Sequence, residues 1–168
     1  MEKVFEYGRI IFIKPDEKFV DNMTEMMNDE EIQSMLFNER KEITRDIELE
    51  WIRKHQDDNC FSLVDKETLE YIGNCSFNSI EDKQGEIGLV ISKPMQGKHY
   101  AKEIIKGLIE YGFNELGLDE IIGIIFSDNV RSLNCCKQLG FEEYNREKNV
   151  IQRNGIPVDD VFVKLKKR

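Results

Sequence analysis

Glu86-Ile87-Gly88-Leu89-Val90-Ile91, then Ser92-Lys93-Pro94-Met95, then Gln96-Gly97-Lys98-His99-Tyr100-Ala101, is the stretch on which the fold turns. Its first six residues read as a strand, with Pro94 lying just past the end. From Ala101 onward, Ile104, Ile105, Leu108, Ile109, Phe113 and Leu116 recur at the spacing of an amphipathic helix, and Gly117 is placed as its C′ residue. The residues between join a strand to a helix start. Amides there point at whatever lies over the helix, so the loop is an anion site by construction. Local charge agrees: Lys93, Lys98, Lys102 and Lys106 stand against Glu103 alone. A solvated helix start is the plainer alternative, but the clustering favours phosphate.

Outward from this stretch the alternation continues. Ile121 to Phe126 is a nearly continuous apolar run, the mark of a buried strand. Val130 to Leu139 reads as a helix closed by Gly140. Val150-Ile151, a turn at Asn154-Gly155, and Val161 to Leu165 read as a closing hairpin. Toward the N-terminus, Arg9 to Ile13 reads as a strand stopped by Pro15. Phe19, Val20, Met23, Met26 and Met27 follow at helical spacing after a cap at Asp16, and the methionines read as core packing. Thr44 caps a second helix carrying Ile47, Trp51 and Ile52. Cys60 to Val64 and Tyr71 to Phe77 are strands joined by a polar turn, Asp65 to Thr68. The sum is an α/β or α+β sandwich, and without repeats or linkers residues 1–168 read as a single domain.

Composition excludes several classes. A chain of 168 residues, 40% hydrophobic and 34% charged, needs no disulfide or metal to fold. No apolar run approaches the ~18 residues that span a bilayer. The opening Met1-Glu2-Lys3 begins a stretch charged where a signal peptide is apolar, which implies a cytoplasmic protein with no membrane partner. A net charge of −9 argues against nucleic acid as a partner. It suits a cationic small substrate, although many acidic proteins are simply soluble. Cys60, Cys75, Cys135 and Cys136 form no CxxC pair, and His55 and His99 are not spaced as ligands with them, so no metal site is expected.

A dinucleotide-binding unit is the obvious rival for a strand–loop–helix. It requires GxGxxG, and the loop has only Gly97; it also requires an acid about 20 residues on, and Asp128 lies well beyond. The loop instead resembles the Q/R-x-x-G-x-G/A pyrophosphate loop of the GNAT acetyltransferase superfamily. The nearer match is the ribosomal-protein-acetyltransferase (RimJ/RimL-like) branch. Glu86-Ile87-Gly88 resembles the strand that precedes this loop in the family. Asn129 and Ser132 with Gly140-Phe141 resemble its N-x-x-S/A…G-F helix, and Asn154-Gly155 with Asp159-Asp160-Val161 its closing hairpin. The resemblance covers nearly the whole chain from about Arg9.

What the resemblance implies is concrete. The fold is a mixed, mostly antiparallel central sheet flanked by helices, with acetyl-CoA bound between two splayed parallel strands. The function is direct acetyl transfer from acetyl-CoA to a primary amine, whether a protein N-terminus, a polyamine, an antibiotic or another small amine. Gln96, Gly97, Lys98, His99, Tyr100, Ala101 and Lys102 hold the pyrophosphate. Leu89, Val90 and Ile91 pair with the pantetheine arm, with an amide near Leu89 or Val90 facing the oxyanion, and Asn129 and Ser132 lie on its other side. Glu86 is the candidate base, and a solvent-facing charge is its equally plain alternative. A homodimer stays open, dimers being common in relatives.

Two departures stand out. His99 occupies a position usually held by glycine, where a β-carbon crowds the pyrophosphate if the backbone is left-handed. Cys136 stands where many relatives carry a tyrosine that protonates the departing thiolate, so its thiol is either that acid or a packed apolar group. These departures keep a second class open, a non-catalytic acyl-CoA-binding module. Asp29, Glu30, Glu31 and Glu39 fall where relatives form the acceptor wall, or else make a solvated charged face.

Overall fold

Strand-forming runs of alternating and apolar residues build eight strands into one mixed, mostly antiparallel sheet, flanked by five α-helices. The computed structural model describes residues 1–168. In chain order the elements are β1 (Lys3–Tyr7), β2 (Ile10–Ile13), α1 (Val20–Asn28), α2 (Glu30–Leu36), α3 (Arg45–Lys54), β3 (Cys60–Asp65), β4 (Tyr71–Glu81) and β5 (Gln84–Ile91). Then follow α4 (Tyr100–Asn114), β6 (Glu120–Phe126), α5 (Val130–Gln138), β7 (Glu142–Arg153) and β8 (Ile156–Lys166). The strand order is β1-β2-β3-β4-β5-β6-β8-β7. Strands β5 and β6 run parallel, Gln84 opposite Glu120 and Glu86 opposite Ile122. The chain divides into two compact units, Met1–Asn78 with Gly88–Gly107, and Ser79–Ile87 with Leu108–Arg168. No helix is long and apolar enough to cross a membrane.

In the first unit, α1 turns Val20, Met23 and Met26 into a core with Ile13, Phe19, Ile32, Ile52, Val64 and Tyr71. The methionines therefore pack, as their spacing indicates. Thr44 caps α3 by accepting from the Ile47 amide at 3.2 Å. Two glycines mark close approaches. A Cβ on Gly73 would lie 2.0 Å from the Val90 carbonyl oxygen, and a Cβ on Gly88 would lie 2.8 Å from Nδ2 of Asn78. Backbone meets backbone at the first and side chain at the second.

In the second unit β8 pairs antiparallel with both β6 and β7, and Val161 and Val163 of β8 are buried with Ile121 of β6. Helix α5 ends at Gln138 with Leu139 as its C-cap, and Gly140 follows with a φ of 95°, in the left-handed region that glycine tolerates. Residues 142–149 of β7 are all exposed and rich in charge, a composition that discourages pairing at a sheet edge.

Candidate active site

The loop expected to hold phosphate lies in the first unit, between the end of β5 and the start of α4. Lys93–Met95 form a 3-10 turn with Pro94 near its start. Gln96 folds its side chain back, donating from Nε2 to the Ile91 carbonyl at 3.0 Å, so it closes the turn. Gly97 and His99 both have left-handed backbone, with φ of 79° and 65°. A Cβ on Gly97 would meet nothing within 4 Å, so this part of the loop faces open space. Gln96 before Gly97 is extended, and the first amides of α4 have no acceptor within the helix, which leaves them open to an anion. Lys98 and Lys102 are exposed here. The backbone condition under which a β-carbon at residue 99 matters is met, at a cost of ~1 kcal/mol for the left-handed conformation.

A network holds this loop in place. Arg9 donates from Nη2 to the Lys98 carbonyl at 3.0 Å and from Nε to Oε1 of Glu103 at 2.7 Å. The Arg9 amide donates to Oε2 of Glu103 at 3.0 Å. The Arg9 guanidinium also lies 4.4 Å from the centre of the Tyr100 ring, in cation–π contact. Tyr100 is buried, and its hydroxyl donates to Oδ2 of Asp65 at 2.6 Å. The other oxygen of Asp65 accepts from the amides of Glu67 and Thr68, which makes the polar turn between β3 and β4. The Tyr100 bond, then the Thr68 amide, hold the Asp65 carboxyl below its ordinary value. Burial first, and the Asp65 carboxylate second, push the Tyr100 phenol up to about 12. Of the residues expected at the pyrophosphate, Tyr100 thus turns its side chain away and leaves its backbone. Sequence reading missed the roles of Arg9, Asp65 and Glu103, because their partners lie far along the chain.

Leu89, Val90 and Ile91 are half-buried on β5 and belong to the same unit as the loop. Ala101 is half-buried in the first turn of α4.

The second unit carries Glu86, Asn129, Ser132 and Cys136. Glu86 is half-buried on β5 opposite Ile122. Burial, then the carboxylates of Glu120 and Glu86, raise the phenol of Tyr144, a residue that the sequence did not single out. Asn129 caps α5, its Oδ1 accepting from the Ser132 amide at 3.3 Å. The two residues are therefore brought together by the helix start itself. Cys136 is buried at 5% exposure, and burial, followed by Cys135, pushes its thiol up to about 12.

Two other groups bear on the sequence reading. Asp29 caps α2 by accepting from the Ile32 amide, Glu31 pairs with Lys93, and Glu30 lies 3.8 Å from Arg40. These acids already have structural partners. His55, by contrast, lies with Asp58 and Cys60, an association that spacing rules for metal motifs overlook.

The family model described as "Acetyltransferase (GNAT) domain" matches residues 9–142. An uncharacterized N-acetyltransferase of Bacillus licheniformis, p20, is 34% identical over 112 residues, covering 66% of this chain and 63% of that protein. The matched stretch thus spans a little under two thirds of that relative. Among solved structures, an acetyltransferase of the GNAT family from Bacillus anthracis superposes with a TM-score of 0.84 at 19% identity, covering 96% of each chain. A spermidine N-acetyltransferase from Vibrio cholerae, in complex with CoA and spermine, gives 0.83 at 21% identity, covering 94% of this chain and 95% of that one. At such identities the likeness speaks for the fold.

Proposed function

Because the chain belongs to the GNAT acetyltransferase family, we propose that it transfers the acetyl group of acetyl-CoA directly to a primary amine. The carrying observation is the loop of residues 96–101, where left-handed Gly97 and His99 shape a cluster of amides beside exposed Lys98 and Lys102. The order of motifs, from Glu86-Ile87-Gly88 through this loop to Asn129 and Gly140-Phe141, supports the RimJ/RimL-like branch. The whole of residues 1–168 then serves one acetyltransferase function, in the cytoplasm, where its four free cysteines stay reduced.

In this reading the amides of residues 97–101 and the lysines bind pyrophosphate, and the edge of Leu89, Val90 and Ile91 pairs with the pantetheine arm. Asn129, with Oδ1 taken by Ser132, offers the arm its Nδ2. An acceptor amine with an ordinary pKa of ~10.4 arrives protonated. Glu86 takes that proton, directly or through water, and the freed amine attacks the thioester carbonyl. A backbone amide near Leu89 or Val90 stabilises the oxyanion before it collapses and expels the thiolate. Cys136 is assigned to packing. A thiol held up at about 12 gives its proton to an ordinary thiolate, pKa ~8.5, only against a steep gradient. The acids of residues 29–31 are assigned to α2 and its ion pairs, which leaves the acceptor's class to experiment.

The test is thiol release from acetyl-CoA across a panel of amines, with product masses measured. Turnover with at least one amine is expected, and coenzyme A should raise the melting temperature more than a pantetheine fragment without phosphates. Equal stabilisation by the two would remove the loop's role. Stabilisation without thiol release for any amine would make the protein an acyl-CoA-binding module.

A further inference from the structure

His55, Asp58 and Cys60 meet where α3 passes into β3. We propose that they form a binding site for a thiophilic divalent cation of the zinc class, ligated by Nδ1 of His55, a carboxylate oxygen of Asp58 and Sγ of Cys60. The site is independent of the acetyl-transfer reading.

The backbone delivers these ligands from two anchored ends. The His55 amide closes the last turn of α3 on the Trp51 carbonyl at 3.1 Å. Gln56 then ties the departing chain down, its Nε2 donating to the carbonyls of Ile52 and Pro15, each at 2.7 Å. Asn59, with φ of 61°, reverses direction, and its carbonyl accepts from the Phe77 amide at 3.1 Å. Cys60 is already paired in the sheet, opposite Ser76. The Trp51 ring stands 4.9 Å from the His55 ring and limits its rotation.

The spacing fits a metal with one small movement. Sγ of Cys60 lies 3.7 Å from Nδ1 of His55, and all three ligand atoms lie within 4.8 Å of one another. Tetrahedral zinc, with bonds of about 2.1 Å to nitrogen and 2.3 Å to sulfur, sets those two atoms about 3.6 Å apart. Oδ2 of Asp58 is 2.5 Å from Nδ1, a hydrogen bond, and must retreat by about 1 Å. At 49% side-chain exposure Asp58 is free to do so, and its open side admits water as a fourth ligand.

Ligand type selects the cation. Imidazole, thiolate and one carboxylate suit zinc and its neighbours, whereas magnesium and calcium require oxygen donors. Binding balances simply. The Cys60 thiol proton leaves to solvent as the sulfur–metal bond forms. His55 binds as neutral imidazole through Nδ1, with its proton on Nε2, and gives up its hydrogen bond to Asp58. Two negative ligands then face a charge of +2. A nucleophilic role for the Cys60–His55 pair is disfavoured, because burial first and Asp58 second push the thiol up to about 12.

Cobalt(II) titration of the full chain under reducing, chelator-free conditions tests the proposal. A thiolate-to-cobalt charge-transfer band should grow to saturation at one ion per chain and vanish on adding Zn²⁺. Zn²⁺ should also raise the melting temperature. Cys60→Ser should abolish the band and Cys135→Ser should keep it. Should Cys60→Ser fail to fold, Asp58→Asn at its exposed position should weaken cobalt binding at least about tenfold, no less than loss of an outer-shell partner does. Absence of the band in excess cobalt, its loss in Cys135→Ser, or unchanged affinity in Asp58→Asn overturns the site.

Discussion

Tyr100→Phe removes a single oxygen from the base of the loop of residues 96–101. That oxygen donates to Oδ2 of Asp65 at 2.6 Å, between side chains of residues that are each only 7% exposed. Oδ1 of the same carboxylate keeps the amides of Glu67 and Thr68 at 2.9 and 3.0 Å, so Asp65 stays partly satisfied. A hydrogen bond to a charged group contributes ~1.5–3 kcal/mol. The surviving donors favour the lower half, ~2 kcal/mol, which lowers the melting temperature of a chain this size by roughly 4–8 °C. The pH dependence has a definite sign. Because the Tyr100 bond is the first cause of the lowered Asp65 value, its stabilisation is present above the unfolded carboxylate value of ~3.9. It is lost as pH falls through the lower folded value. The gap between wild type and Tyr100→Phe is therefore full at pH 7 and narrows below about pH 4. Urea unfolding followed by circular dichroism at both pH values measures it, and a double-mutant cycle with Asp65→Asn isolates the pair. A gap under ~0.5 kcal/mol at pH 7, or one of equal size under both conditions, refutes the reasoning.

Two further outcomes follow from the same loop and from α5. Cys136→Ala should lower the melting temperature by an amount matching ~1–2 kcal/mol of lost packing and leave turnover per folded molecule unchanged. A fall in turnover beyond about tenfold, absent from Cys135→Ala, would restore the thiol as a general acid. His99→Gly should keep or improve coenzyme A affinity and leave stability within ~1 kcal/mol, since glycine adopts the left-handed backbone without cost. Isothermal titration reads the affinity, and a large loss would reveal an imidazole contact.

Local signals explain what the sequence made legible. The run Ile121 to Phe126 is strand β6 nearly to the residue, although it is not buried along its length as its apolar run suggests, since Ile124 is exposed; Gly117 and Gly140 follow their helices with positive φ, as expected of glycines there. Thr44 and Asp16 both accept capping bonds. Elements too short or too polar to show a period were missed. Helix α2 has seven residues, under two turns, and strand β1 has five. The first eight residues of β7, all exposed, carry no alternation, so the apolar pattern marks the hairpin only from Val150. Within the candidate site, the loop and the strand before it were readable because they are contiguous. The Arg9–Glu103 and Tyr100–Asp65 bonds join positions 94 and 35 residues apart, and no local pattern announces them. The His55–Asp58–Cys60 cluster is local, yet it depends on a chain reversal at Asn59, whose φ of 61° asparagine permits but does not dictate.

Gly73 and Gly88 differ in what evolution can do with them. The obstacle to a side chain at Gly88 is the amide of Asn78, 2.8 Å away, and a smaller residue at position 78 removes it. Substitution there is conditional, and the order in which two changes arise decides whether the path is open. At Gly73 the obstacle is the carbonyl of Val90 at 2.0 Å, a group that every amino acid supplies. No second change at position 90 can clear it, so that lineage has no compensating partner to find. Epistasis is available at one glycine and foreclosed at the other, although the two lie in the same unit.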